Sequence, residues 1–228
     1  MIERGSRRSH FHGRRLGKPL RPRQRGLVEN LLPTLRLADP ARPAQSFGAA
    51  ASQIWLEIGF GGGEHLVAQA RANPEVGFIG AEPFLNGVAK VLAVIERQKL
   101  ANIRLHDDDA RPLLDALPEA CIDRVFLLFA DPWPKRRHHK RRFIAPDNLD
   151  RLARVLRDGA ELRFASDHSG YVAWALYYLC AHPAFTWLAR RPAHWRQSPA
   201  DWVPTRYQQK AEARGQHCTF LCFRRQPR

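Results

Sequence analysis

Strands and helices alternate along most of this 228-residue chain, and the alternation predicts an α/β protein built on a doubly wound, mostly parallel sheet. Three observations carry that prediction. Short apolar runs stop abruptly at glycines, prolines or acids, and stretches with apolar residues at helical spacing separate them. The run Asp123 to Ala130 is nearly all apolar, the pattern of a central strand covered on both faces.

The elements follow in order. Residues 24 to 37 read as a short helix and Asp39 to Gln45 as a proline-rich loop. Gln53 to Ile58, an apolar run stopped by glycines, is the first strand, and Glu64 to Ala72 has helical spacing. Val76 to Ala81 is the second strand, followed by a helix over Leu85 to Lys99. Ile103 to His106 is a third strand and Arg111 to Leu117 a short helix. Asp123 to Ala130 is the fourth strand, Asp147 to Arg157 a helix, Glu161 to Ala165 the fifth strand and Tyr171 to Ala181 a helix. Phe185 to Ala189 and Cys218 to Arg224 are two late strands, one of them expected to be antiparallel. The expected organisation is one domain over residues 46–228, preceded by a basic, partly flexible arm and short helix over residues 1–45.

Charge narrows the function. Thirty-seven Lys and Arg against 22 Asp and Glu leave a formal +15, an excess that favours polyanionic partners. Residues 1 to 25 hold nine Lys or Arg and a single acid, Glu3. They read as an arm that orders on a nucleic acid, with a solubilising tail as the alternative. His10 and His12 in that arm carry no catalytic signal. Cys121, Cys180, Cys218 and Cys222 form no Cys-x-x-Cys pair and no zinc-finger spacing. No metal is implied, and thiols buried in a reducing cytoplasm are expected. No apolar stretch reaches the roughly 18 residues of a membrane span, and the Arg-rich N-terminus lacks the apolar segment of a secretory signal; a transit peptide is the alternative there, against which Pro19 and Pro22 count. A monomer is expected; no protein partner is indicated.

In such sheets ligands bind beyond the carboxyl ends of the strands, so the strand ends are informative in sequence order. The first ends in Glu57-Ile58-Gly59-Phe60-Gly61-Gly62-Gly63, the second in Ala81-Glu82-Pro83, and the third in His106-Asp107-Asp108-Asp109-Ala110. The glycine loop lacks the Gly-x-Gly-x-x-Gly spacing and any Gly-Lys-Ser/Thr of a phosphate binder. Acids at Glu57, Glu82 and Asp109 repel a pyrophosphate but suit a cationic, adenosine-bearing ligand such as S-adenosylmethionine. The fourth strand ends in Asp131-Pro132-Trp133-Pro134, followed by Lys135, Arg136, Arg137, His138, His139, Lys140, Arg141 and Arg142. One carboxylate amid so many cations suggests chemistry on a polyanion. The basic block is read as phosphate-binding, with a solvated face as the alternative. The two histidines are read as phosphate neighbours rather than metal ligands. Trp133 is read either as a base-stacking ring or as a packed loop anchor. Trp195 and Trp202 are either substrate-facing or buried.

Together Glu57 to Gly61, Asp131 to Lys135 with Lys140-Arg141-Arg142, Ala165-Ser166-Asp167 and Pro204-Thr205-Arg206-Tyr207 resemble the bacterial tRNA (guanine-N7-)-methyltransferases, from about Phe11 to Phe223. The resemblance implies a Rossmann-like class I methyltransferase fold that methylates N7 of guanine 46 in the tRNA variable loop. It implies S-adenosylmethionine contacts from Glu57, Gly59, Gly61, Glu82, Asp109 and Asp131, with Asp131 marked as catalytic. Lys135, Asp167 and the segment Thr205, Arg206, Tyr207 and Gln208 are expected to face the substrate, and Arg136, Arg137, Lys140, Arg141 and Arg142 its phosphates. Asp167 alternatively caps the helix that follows it. The family usually places Glu where this chain has Gln208. Guanine N7 carries a free lone pair on the major-groove edge. It attacks without deprotonation, so Asp131 is expected to orient and stabilise, with a general-base role second. A non-catalytic RNA-binding protein and a methyltransferase of another substrate are the competing readings.

Overall fold

The structure is a computed structural model describing residues 13–48 and 51–228. His10, His12 and the first half of the basic arm lie outside the described residues. Seven strands, β1 (Gln53–Ile58), β2 (Val76–Ala81), β3 (Ile103–His106), β4 (Ile122–Leu128), β5 (Leu156–Ser166), β6 (Phe185–Trp187) and β7 (Thr219–Arg225), form one sheet. Their order is β3-β2-β1-β4-β5-β7-β6. Strands β1 to β5 pair in parallel, whereas β7 is antiparallel to β5 and β6 antiparallel to β7. Hence β6 runs in the direction of β1–β5, and β7 is the reversed strand. The order turns back between β1 and β4, which opens a crevice at their carboxyl ends.

Period-two alternation sorts the strand residues into two cores. Ile54, Leu56 and Ile58 of β1 join Val125 and Leu127 of β4 on one face. There they meet α5 (Ala110–Ala116), α6 (Pro146–Val155) and α7 (Ser169–Ala181). Trp55, Phe78, Phe126 and Leu128 point to the other face, against α3 (Glu64–Ala72) and α4 (Leu85–Gln98). α1 (Pro22–Asn30) and α2 (Leu32–Leu35) extend this second layer through Leu27, Leu32 and Leu35. α4 forms because Val88, Val91, Leu92 and Ile95 recur on one stripe, and Lys99 in the left-handed region ends it. Fully burying a side chain such as Leu92 contributes about 2 kcal/mol.

Several boundaries differ from expectation. The helix expected over 24–37 is split into α1 and α2, because Pro33 has no N–H to continue the first. β4 stops at Leu128, where Phe129 turns to a φ of 53° and donates its N–H to Ala165 O at 2.8 Å. β5 starts at Leu156, five residues early, by pairing with Ile122. β6 ends at Trp187. Two short helices, α8 (Ala193–Arg196) and α9 (Arg206–Glu212), are additions.

Candidate active site

A cavity of about 590 Å³ opens beyond the carboxyl ends of β1, β2 and β4. Of the expected residues, Gly59, Gly61, Glu82, Asp109, Asp131, Arg141 and Tyr207 line it, together with Trp133. Gly13, Arg14, Phe84, Arg111, Phe129 and Phe143, none of them marked by a motif, join them.

The glycine loop is held by geometry no larger residue tolerates. Gly61 has a φ of 55°, and a Cβ on it would meet the Tyr207 ring at 3.2 Å. A Cβ on Gly87, at the start of α4, would lie 2.1 Å from Gly61 O. Glu82 joins these parts: one carboxylate oxygen accepts from Gly61 N at 2.7 Å, the other from Phe84 N at 2.8 Å. Burial pushes the Glu82 carboxyl up; the two N–H donors pull against this, and Asp131 and Glu57 add to it.

The acids after β3 divide their work. Asp107 accepts a two-point contact from Arg36 at 3.0 and 2.9 Å. Asp108 pairs with Arg15, which holds its carboxyl below the ordinary range against the opposing effect of burial. Asp109 caps α5 by accepting from Arg111 N at 3.1 Å, and takes the Arg111 side chain at 2.8 Å. Asp107 and Asp108 thus bind the N-terminal segment. Arg15 O accepts from Leu85 N at 2.9 Å, and Asn86 holds Gly17 N and Lys18 O at 2.8 Å each. This tether brings Gly13 and Arg14 to the cavity.

Asp131 stands exposed at the rim, its carboxyl raised by the protein around it. Trp133, at a φ of 44°, turns into the cavity wall with the Arg141 guanidinium 4.9 Å from its ring centre. It therefore lines the site and is also packed. Lys135, Arg136, Arg137 and Lys140 are exposed on or beside a 3₁₀ turn spanning Arg136–Arg141. Arg142 departs from the expected phosphate contact. It is 2% exposed, donating to Pro132 O at 2.8 Å and Gly170 O at 3.2 Å between the rings of Tyr171 and Trp174. Its charge fastens the Asp131 loop from beneath.

A family model described as a putative methyltransferase matches residues 51–221. The tRNA (guanine-N(7)-)-methyltransferase of Rhodospirillum rubrum is 52% identical, over 100% of this chain and 92% of its own length. That of Rhizobium meliloti is 50% identical, over 97% of this chain and 98% of its own. The chain belongs to this methyltransferase family. Among solved structures, the 16S rRNA methyltransferase KamB superposes with a TM-score of 0.55 at 15% identity, covering 81% of this chain and 93% of that one. The antibiotic-resistance methyltransferase Kmr gives 0.55 at 18% identity, with 82% and 93% covered. These two likenesses concern the fold.

Other residues singled out in this family member lie away from the cavity. Glu57 alternates with Ile58 and so faces the α3 layer, where it is 4% exposed and meets His65 Nδ1 at 2.7 Å. His65 Nε2 is buried without a partner among the described residues. Asp167 does not cap α7; His168 does, its Nδ1 accepting from Tyr171 N at 3.2 Å. Thr205 caps α9 by accepting from Gln208 N at 3.1 Å. Arg206 begins that helix, exposed. Gln208 is buried, accepting from Trp202 Nε1 at 2.6 Å and donating to Glu212 at 2.8 Å.

The residue that sequence reading missed altogether is Asp201. Its carboxylate takes Arg163 at 2.7 Å and Arg124 at 3.2 Å, and its carbonyl accepts from Gln69 at 2.7 Å. Next to it Trp202 packs edge-on to Phe220 and against His65. Trp195 packs on Trp187. Both tryptophans are packing residues. Asp201 and Trp202 together set the position of α9, and α9 carries Tyr207 into the cavity. Among the described residues no cluster of His, Cys, Asp or Glu is placed to hold a metal ion, and no helix is long and apolar enough to cross a membrane.

Proposed function

We propose that this protein transfers a methyl group from S-adenosylmethionine to N7 of guanine 46 in the variable loop of tRNA, in the cytoplasm. The observation that carries the reading is the convergence of Glu82, Asp109 and Asp131 on one cavity beside an exposed basic turn. The donor set fits the cofactor: three carboxylates suit a sulfonium, an ammonium and a ribose diol. Gly61 lines the cavity at a φ of 55°, and a Cβ there would press on the Tyr207 ring that also lines it. Glu82 and Asp109 are the residues proposed to hold its adenosine part, and Gly59 and Gly61 its amino-acid part. Glu57, turned away with His65, acts through its charge, which already raises Glu82. When bound, the sulfonium supplies an electrophilic methyl.

Asp131 accepts hydrogen bonds from the N1 and N2 edge of the guanine and faces the positive charge that the purine acquires. No proton need leave N7, so no strong base is required. Tyr207 covers Gly61 at the cavity, and Asp167, outside the cavity lining, is the residue proposed to meet the substrate beyond it. Lys135, Arg136, Arg137, Lys140 and Arg141 take tRNA phosphates, while Arg142 positions the Asp131 loop. The test is incubation of the purified protein with labelled S-adenosylmethionine and unmodified tRNA, followed by nuclease mapping. Label on N7-methylguanine at position 46 is expected. No label, or label at another base or atom, sinks the proposal.

A further inference from the structure

The glycine loop and α9 lie far apart in the chain, yet one side chain touches the supports of both. Glu57 stands near the end of β1, just before the loop, and His65 in the first turn of α3, just after it. Their side chains meet at 2.7 Å across eight positions, so a single contact joins the two ends of the loop. Glu57 is buried, and its carboxyl has no other hydrogen-bond partner among the described residues. A buried carboxyl left alone is costly, which keeps the two groups together.

The His65 ring carries the link onward. It is buried edge-on to Phe126 of β4, with ring centres 4.7 Å apart, and lies 5.5 Å from the ring of Trp202. Gln69, one turn farther along α3, donates to Asp201 O at 2.7 Å. Two side chains on one stripe of α3 therefore seat two consecutive residues of the segment that leads into α9. Trp202 passes the placement on, donating from Nε1 to Gln208 of α9 at 2.6 Å. Beside Gln208, Tyr207 returns to the starting point, its ring 3.2 Å from where a Cβ on Gly61 would stand. The contacts thus close a circuit that leaves the glycine loop through Glu57 and comes back to it through Tyr207. We propose that His65 is a positioning residue that couples the glycine loop to α9. Its Nδ1 contact with Glu57 holds the shape of the loop, and its ring holds Trp202, so cofactor binding at the loop and the placement of Tyr207 depend on each other. The inference rests on the S-adenosylmethionine reading above.

Two substitutions separate the two contacts. His65→Phe keeps a ring against Phe126 and Trp202 but loses the Nδ1 contact; Nε2 has no partner among the described residues, so no other polar contact is broken. His65→Asn offers an amide N–H in place of Nδ1 and loses the ring. By calorimetry, His65→Phe is expected to bind S-adenosylmethionine about tenfold more weakly, the size of one lost hydrogen bond to a charged group. Its kcat at saturating cofactor stays within about twofold of wild type. His65→Asn is expected to recover most of that affinity and to fail elsewhere. In the wild type, saturating S-adenosylmethionine slows amide hydrogen exchange across α9 severalfold; in His65→Asn the cofactor still binds but this protection is lost. Trp202→Leu breaks the same link from the other side and is expected to lose the protection too, which keeps the test decisive if a His65 variant does not fold. Equal cofactor affinity in His65→Phe and His65→Asn overturns the inference, and so does α9 protection that survives in His65→Asn or Trp202→Leu, since either result makes His65 a core side chain only. A wild type that binds the cofactor, protects α9 and methylates no tRNA defeats the enzymatic reading and leaves the coupling standing. A wild type that binds no S-adenosylmethionine defeats both.

Discussion

Asp131 and Glu82 share one cavity, and both carboxyls are pushed above their ordinary values of 3.8 and 4.5. For Glu82 the first cause is burial, with Asp131 and Glu57 adding to it; for Asp131 the cause is burial, moderated by its exposure at the rim. The sign follows from linkage. A raised carboxyl contributes stability that is complete below its ordinary value and is lost as pH rises through the folded one. A cationic ligand prefers the ionised forms, so S-adenosylmethionine affinity is expected to climb with pH through the window above 4.5. Calorimetry from pH 5 to 8 checks this, and an affinity that falls or stays level over that range contradicts it. Asp131→Asn keeps shape and acceptor capacity but removes charge from the reacting purine. Loss of a comparable electrostatic contact costs about 10²–10³ in kcat. A kcat within threefold of wild type at an unchanged melting temperature removes Asp131 from the mechanism.

At the scale of elements, α9 and the Asp131 loop are positioned by contacts their own sequences do not contain. Gln208 is the neutral link between the Trp202 N–H and the Glu212 carboxylate one turn on. A Glu at 208 still accepts from Trp202 but faces Glu212 as a like charge at i,i+4. Gln208→Glu is therefore expected to destabilise by about 0.5 kcal/mol from that pair, more with its burial. Adding Glu212→Gln restores most of the loss. A double-mutant cycle by urea unfolding measures it, and additive effects would refute the coupling. Arg142 gives a larger expectation. Arg142→Met leaves Pro132 O and Gly170 O without their charged donor and costs about 2–3 kcal/mol. Turnover should fall with it, because the Asp131 loop loses its fastening. An unchanged urea midpoint contradicts this role.

For the whole molecule, the +15 charge is partly internal tether and partly outward surface. Arg15 and Arg36 pair with Asp108 and Asp107, whereas Lys135, Arg136 and Lys140 are exposed with no partner among the described residues and Arg137 donates only to the neighbouring His138. The tethered segment forms part of the cavity wall, so deletion of residues 1–19 is expected to raise the KM for S-adenosylmethionine severalfold. The α1–α4 packing, reinforced by Arg23 with Glu96 at 2.8 Å, keeps the domain folded. A KM for the cofactor equal to that of the full chain would show the wall to be dispensable.

The alternation of elements, the central place of β4 and the acids at the ends of β2, β3 and β4 were legible in the sequence, because they depend on period and on neighbours within a few residues. The tertiary structure decided what those patterns could not encode. Arg15 finds Asp108 across 93 positions, Arg36 finds Asp107 across 71, and Asp201 finds Arg163 across 38. Glu57 looked like its neighbours at the strand ends, yet one step of strand alternation turns it to the α3 side, where His65 meets it. Arg142 looked like the rest of a basic run, and only the packing of α7 beneath the loop shows that its charge is buried and tied to main-chain carbonyls. A local pattern reports what a residue can do, while the choice among equal candidates belongs to distant side chains that the fold brings within hydrogen-bonding reach.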